Sequence, residues 1–245
     1  MTSHYRYATS VFVGLLYMTT FRVIKTPAEY VDVLLTCEQC SAGPISFASS
    51  FVSSNYFSEE AIKRFYSTAA GNLADACNTL LQRRHVARLG ATKVARREIY
   101  EAAAFTKLLT DGTVHTQDAT YRNWPSEIES VLTEILRWSE ELRTLRIAIT
   151  TEVLPAVFAI YSPTVTVIDI RTNYLYQQIQ GFEIQDAGAT QIFQEEFERL
   201  WQDAVGVLSP DDVLSLLSDS LAQWRKGATI DLSRWPRMRY TDRAV

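Results

Sequence analysis

The stretch from Gly181 to Ala204, GFEIQDAGATQIFQEEFERLWQDA, limits the possible folds of this chain more than any other. Phe193, Phe197, Leu200, Trp201 and Ala204 recur at spacings of three and four, so they share one face of a helix. Glu195, Glu196, Glu198 and Asp203 fall largely on the other face. The residues before them read as a short strand, and with the strands upstream this unit reads as the end of an α/β module.

The rest of the chain alternates in the same way. Phe21–Ile24 is predicted as a strand. Thr26-Pro27-Ala28-Glu29 supplies a cap, a proline in the first turn and an early acid for a helix that Ser41-Ala-Gly-Pro44 stops. A strand over 45–50, a helix capped by Ser58 and helical composition over 71–81 follow. Gly90 then precedes a basic run, 91–99, that reads as a strand; its arginines also suit the solvated face of a helix, because arginine is a good helix former. Helices are expected over 101–109 and from Trp124-Pro125 to Leu142, and strands over 145–150, 156–161 and 165–170, the last two joined at Ser162-Pro163. One or two strands are expected within 174–184, and a final helix over 210–224 is capped by Ser209. This order predicts a single α/β domain over 1–245: a mixed, mostly parallel sheet flanked by helices, with an antiparallel pair near Pro163. Its core spans about 20–225, followed by a peripheral basic tail, 226–245.

A formal charge of -4 and a pI near 5.5 give no global drive toward nucleic acid or anionic membrane. Charge is nevertheless segregated. No acid lies between Asp75 and Glu98, where Arg83, Arg84, Arg88, Lys93, Arg96 and Arg97 are all basic. That stretch suits an acidic partner surface, including one on a second copy of the chain, and its lack of aromatic residues before Tyr100 argues against single-strand stacking. The three cysteines, Cys37, Cys40 and Cys77, fit a reducing cytoplasm; Cys37-Glu-Gln-Cys40 lacks the second pair that a closed zinc site needs. The apolar run Val11–Tyr17 is too short to span a bilayer, lacks a cleavage site after it, and is read as a buried strand. Met1 and Met18 are both candidate starts.

Ligands of open α/β sheets collect at the carboxyl ends of strands. Here that rule gathers Ser49, Ser50, Asn55, Arg97, Tyr100, Thr150, Thr151 and Glu152. Arg97 is the candidate for a bidentate anion contact; the alternative is that one of Arg96 and Arg97 faces solvent and the other pairs with a carboxylate such as Glu98 or Asp169. Ser49 and Ser50 lack the GxSxG elbow of a hydrolase. His115, in the polar loop between Asp111 and Asp118, has no metal-ligand spacing, and His85 reads as a surface residue.

Four segments in order, 44–65, 90–109, 145–169 and 181–201, resemble the phospholipase D-like ligand-sensing domains of bacterial helix-turn-helix transcription regulators. The resemblance covers about residues 20–205. The enzymes of that fold attack phosphorus with the histidine of a His-x-Lys pair. His4, His85 and His115 are followed two residues on by Arg6, Ala87 and Gln117, so none completes the pair. The first 20 residues are too few for a helix-turn-helix, and sequence-specific DNA binding is not carried over. The resemblance implies a non-catalytic cytoplasmic regulatory module that binds a small ligand, anions among the candidates, or a partner protein, with no cofactor or metal. The alternatives are an enzyme acting on a phosphate or acyl compound, and a structural subunit that self-associates.

Overall fold

The computed structural model describes residues 21–68, 74–90, 93–112, 125–154, 156–169 and 181–237. Val11–Tyr17, His4 and His115 lie outside them. Seven strands form one sheet: β1 (Phe21–Ile24), β2 (Ile45–Ser49), β3 (Arg96–Glu101), β4 (Leu145–Thr150), β5 (Val157–Ser162), β6 (Val165–Asp169) and β7 (Gly181–Gln185), in spatial order β1-β7-β6-β5-β2-β3-β4. The described helices are α1 (Pro27–Cys40), α2 (Glu59–Thr68), α3 (Ala74–Gly90), α4 (Ala102–Asp111), α5 (Ser126–Leu136), α6 (Ala187–Val207) and α7 (Pro210–Arg225).

The sheet is mixed, as expected, but the balance of directions is reversed. Only β2–β3 and β3–β4 are parallel, and the other four pairings are antiparallel. Parallel neighbours require a crossover, and helical crossovers serve only the step from β2 through β3 to β4. Beyond β4 the chain returns in a hairpin whose turn is held by Ser162 Oγ, which accepts from the Thr164 amide at 3.2 Å. The basic run is part helix and part strand. Arg83, Arg84 and Arg88 belong to α3, which continues to Gly90, and β3 starts only at Arg96.

Local signals position these elements. Thr26 Oγ1 caps α1 by accepting from the Glu29 amide at 3.1 Å, and Asp186 caps α6 by accepting from Ala189 at 2.8 Å. Gly112 ends α4 in the left-handed region at φ 73°. At Gly181 a Cβ would sit 2.2 Å from the Ile168 carbonyl oxygen, so only glycine lets β7 lie this close to β6.

The helix α6 covers one face of the sheet. Its Phe193, Phe197, Leu200, Trp201 and Ala204 are buried against Ala48, Ile99, Ala148, Phe158 and Ile184. The other face carries the larger core. There Tyr100, Ile147 and Ile149 meet α4, α5 and α7, while Ile45, Ala159 and Val167 meet α1. The expectation of a peripheral tail is corrected over its described part: Ile230 and Trp235 are buried in this core, and the Trp235 indole stacks on Phe105 with ring centroids 5.5 Å apart. Burying a large aromatic side chain against another ring is favourable, which holds this part of the chain end to the core.

Candidate functional site

Strand alternation divides the predicted site between the two faces. Ser49 is the Cα partner of Tyr100, on the α1 side, whereas Thr150 is the partner of Glu101, on the α6 side with Arg97. The eight residues therefore do not converge on one pocket. Thr150, Thr151 and Glu152 do meet: with Asp203, Ala204 and Val207 of α6 they line an open cleft of about 260 Å³, where the carboxyl end of β4 meets the last turns of α6.

The cleft carries negative charge. Glu152 is exposed, its amide donates to Thr150 Oγ1 at 3.1 Å, and Arg199 of α6 reaches it at 3.4 Å. The same guanidinium is bound by Glu196 at 2.9 Å and Asp203 at 2.8 Å, and hydrogen bonding to Glu196 pushes its pKa up. Beside the cleft, Glu101 Oε1 accepts from the Leu154 amide at 2.8 Å; burial raises its pKa against that hydrogen bond. Hydroxyls, carboxylates and two apolar side chains make a lining rich in hydrogen-bond acceptors and unfavourable to an anion.

Arg97 is not free for an anion either. It makes a two-pronged contact with Glu198 of α6, at 2.9 and 2.5 Å, and lies over the rings of Phe197 and Trp201 at 5.1 and 5.4 Å. The hydrogen bonds from Arg97 hold the Glu198 carboxyl below its usual range. Ser49 is fully buried and folded into its own turn, its Oγ donating to the Phe51 carbonyl at 2.8 Å. Ser50 follows at half burial. Asn55, in a 3-10 turn over Ser54–Tyr56, is buried with its Nδ2 lacking an acceptor.

The α1 side holds a charge network that sequence reasoning missed. Arg96 pairs through both terminal nitrogens with Glu38 of α1 at 2.9 Å, and Arg83 of α3 reaches the same carboxylate at 3.2 Å. Glu98 accepts from the Tyr56 and Tyr100 hydroxyls at 2.7 and 2.5 Å and lies 3.4 Å from Arg96 Nε. Thus one arginine of the pair, Arg96, does meet Glu98 as well as Glu38, but the other is not left to solvent: Arg97 is met by Glu198. A π-helical turn over Arg137–Glu141 seats Trp138 beneath Arg96, 5.9 Å from its ring centroid. Burial acts to raise the Glu38 pKa, but Arg96 and then Arg83 hold it below the ordinary value; burial and then Glu98 push both tyrosines well up. A signal for Glu38 existed: Val31, Leu34 and Glu38 follow the apolar spacing of α1, so the acid sits where a core residue belongs.

Cys37 is buried, and burial pushes its thiol up to about 12; Cys40 is exposed at the end of α1. Cys37 is therefore not the low-pKa thiol of a redox pair. Among the described residues no group of three or more His, Cys, Asp and Glu could hold a metal ion, and no helix is long and apolar enough to cross a membrane. His85 is exposed on α3.

No family model matches the chain, and no curated protein matches it. Solved structures similar to it include TrmBL2, an archaeal chromatin protein with a novel mode of DNA binding, at 12% identity and TM-score 0.43. That match takes in 82% of this chain, which spans 61% of the length of TrmBL2. Nuc from Salmonella typhimurium, a phospholipase D family member, is similar at 11% identity and TM-score 0.37, over 75% of this chain and 95% of Nuc. Phosphatidylserine synthase of Haemophilus influenzae Rd KW20 is similar at 8% identity and TM-score 0.42, over 95% of this chain and 51% of the synthase. With identities of at most 12% and TM-scores below 0.5, these structures lend the chain neither a site residue nor an activity.

Proposed function

We propose that the chain is a non-catalytic binding module whose ligand occupies the cleft between Thr150–Glu152 and the last turns of α6. The observation that carries this reading is the cleft itself, at the carboxyl end of a strand in the parallel half of the sheet. At about 260 Å³ it suits a molecule of a few heavy atoms carrying hydroxyl or ammonium donors, matched to Glu152, Asp203 and the two threonines. The serine and cysteine weighed as reactive groups are engaged away from the cleft: Ser49 in its turn, Cys37 as a buried thiol. Both facts support binding without turnover.

A thermal-shift screen against small amines and polyols tests this, because a ligand that binds only the folded chain raises its midpoint. The expected result is a saturable shift, with the compound recovered unchanged and the shift lost in Glu152→Ala and Asp203→Ala. Consumption of the compound would replace this reading with an enzyme, and a shift that survives both substitutions would move the ligand out of the cleft.

A further inference from the structure

A separate cluster of arginines lies where α3 meets α5. Arg84 and Arg88 stand one turn apart on α3; Glu134 and Arg137 stand three residues apart across the end of α5. The Glu134 carboxylate is divided between its neighbours. Oε1 takes Arg88 Nη2 at 2.5 Å and Oε2 takes Arg137 Nη2 at 3.1 Å. Arg84 makes no hydrogen bond to it, although the Glu134 charge acts on Arg84 from a greater distance. Although only 8% exposed, Arg84 makes no hydrogen bond or ion pair among the described residues, and its Nε is buried without an acceptor. The Nε of Arg88 is in the same condition. The other nearby carboxylate, Glu59, is exposed and faces Lys63 at 3.7 Å.

A buried guanidinium that no carboxylate meets at hydrogen-bond distance among the described residues is costly, because desolvation is only partly offset. Burial and then the neighbouring Arg88 depress the Arg84 pKa, and the more distant Glu134 and Glu59 carboxylates offset this only in part. Among the described residues three guanidinium groups stand around the Glu134 carboxylate, two more positive charges than it balances. Side-chain exposures of 31% for Arg88 and 33% for Arg137 leave the outer part of the cluster open to solvent. Planar guanidinium forks match the oxygens of a phosphate group, and a phosphate monoester dianion carries the charge that would balance the excess.

We propose that Arg84, Arg88 and Arg137 form a binding site for the phosphate group of a small phosphorylated molecule. In this site Arg84 is the buried anchor, and Glu134 orients the two outer arginines. It lies apart from the acidic cleft, and so adds a second input to the binding module rather than a detail of the first.

Isothermal titration of the full chain with inorganic phosphate and with adenosine 5′-monophosphate, at constant ionic strength, tests the site. The expected result is saturable binding of at least one of them, weakened at least about tenfold in Arg84→Met, a loss of 1.4 kcal/mol or more. Arg137→Met, at a partly exposed position, is expected to weaken binding likewise and serves where Arg84→Met does not fold. Heat equal to that from sodium chloride at matched ionic strength, or unchanged affinity in either variant, would overturn the proposal. Glu152→Ala, which alters only the cleft, is expected to leave phosphate binding unchanged, so the two sites fail separately.

Discussion

Glu38 occupies a core position of α1 and is tolerated there because two arginines from different elements meet its carboxylate. Removing one partner of a buried ion pair leaves the others uncompensated, so Glu38→Gln is expected to cost about 3–5 kcal/mol at neutral pH. The pH dependence follows from the direction of its shift. The folded-state pKa lies below the ordinary value of 4.5, so Glu38 contributes its stability above that value and loses it as pH falls through the folded-state pKa. Urea midpoints of wild type and variant are therefore expected to differ most near pH 7 and to begin converging below about pH 4.5; a gap that does not change with pH would mean that Glu38 has the same pKa in the folded and unfolded chain. Arg96 and Arg97 mark the limit of local reading. Both types suited an anion, but adjacent strand residues point to opposite faces, and each found a carboxylate far away in the chain, Glu38 and Glu198.

Single elements were the most legible. The start of α1 after Thr26, the stop of α4 at Gly112, the extent of β4 and the apolar face of α6 all follow from caps, breakers and periodicity acting within a few residues. The helix α6 lays a single apolar face on one face of the sheet, which concentrates stability in it. Phe197→Ala is expected to cost about 3–5 kcal/mol, whereas Glu195→Ala, on the exposed face, is expected to stay within about 0.5 kcal/mol of wild type. Chemical denaturation with far-ultraviolet circular dichroism checks the pair; similar costs would show that the helix does not depend on its sheet-facing side. The long helix expected through Leu142 shows the boundary of such reading. It leaves α-helical geometry at Arg137 for a π-helical turn, and that turn delivers Trp138 to Arg96. Apolar periodicity carries no signal for a one-residue change of pitch.

Across the whole molecule, the returning chain end is joined through buried aromatic contacts to the core on the face of the sheet opposite α6. Trp235 belongs to the same core as Tyr100, Phe105 and Trp138, so Trp235→Ala is expected to destabilise the chain by about 3 kcal/mol with the same urea dependence, in one transition. A separate early transition would instead mark the chain end as an independent unit. The amino-acid sequence by itself determined the element types, most of their limits and the α/β class, because caps, breakers and hydrophobic periods act over one or two turns. Strand order, the reversed balance of parallel and antiparallel pairs, the Glu38–Arg96 network, the cleft at Glu152 and the arginine cluster around Arg84 were decided only by the tertiary structure. Each depends on which residues meet across tens of positions, and burial and charge pairing at that range are properties of the packed chain rather than of any segment in it.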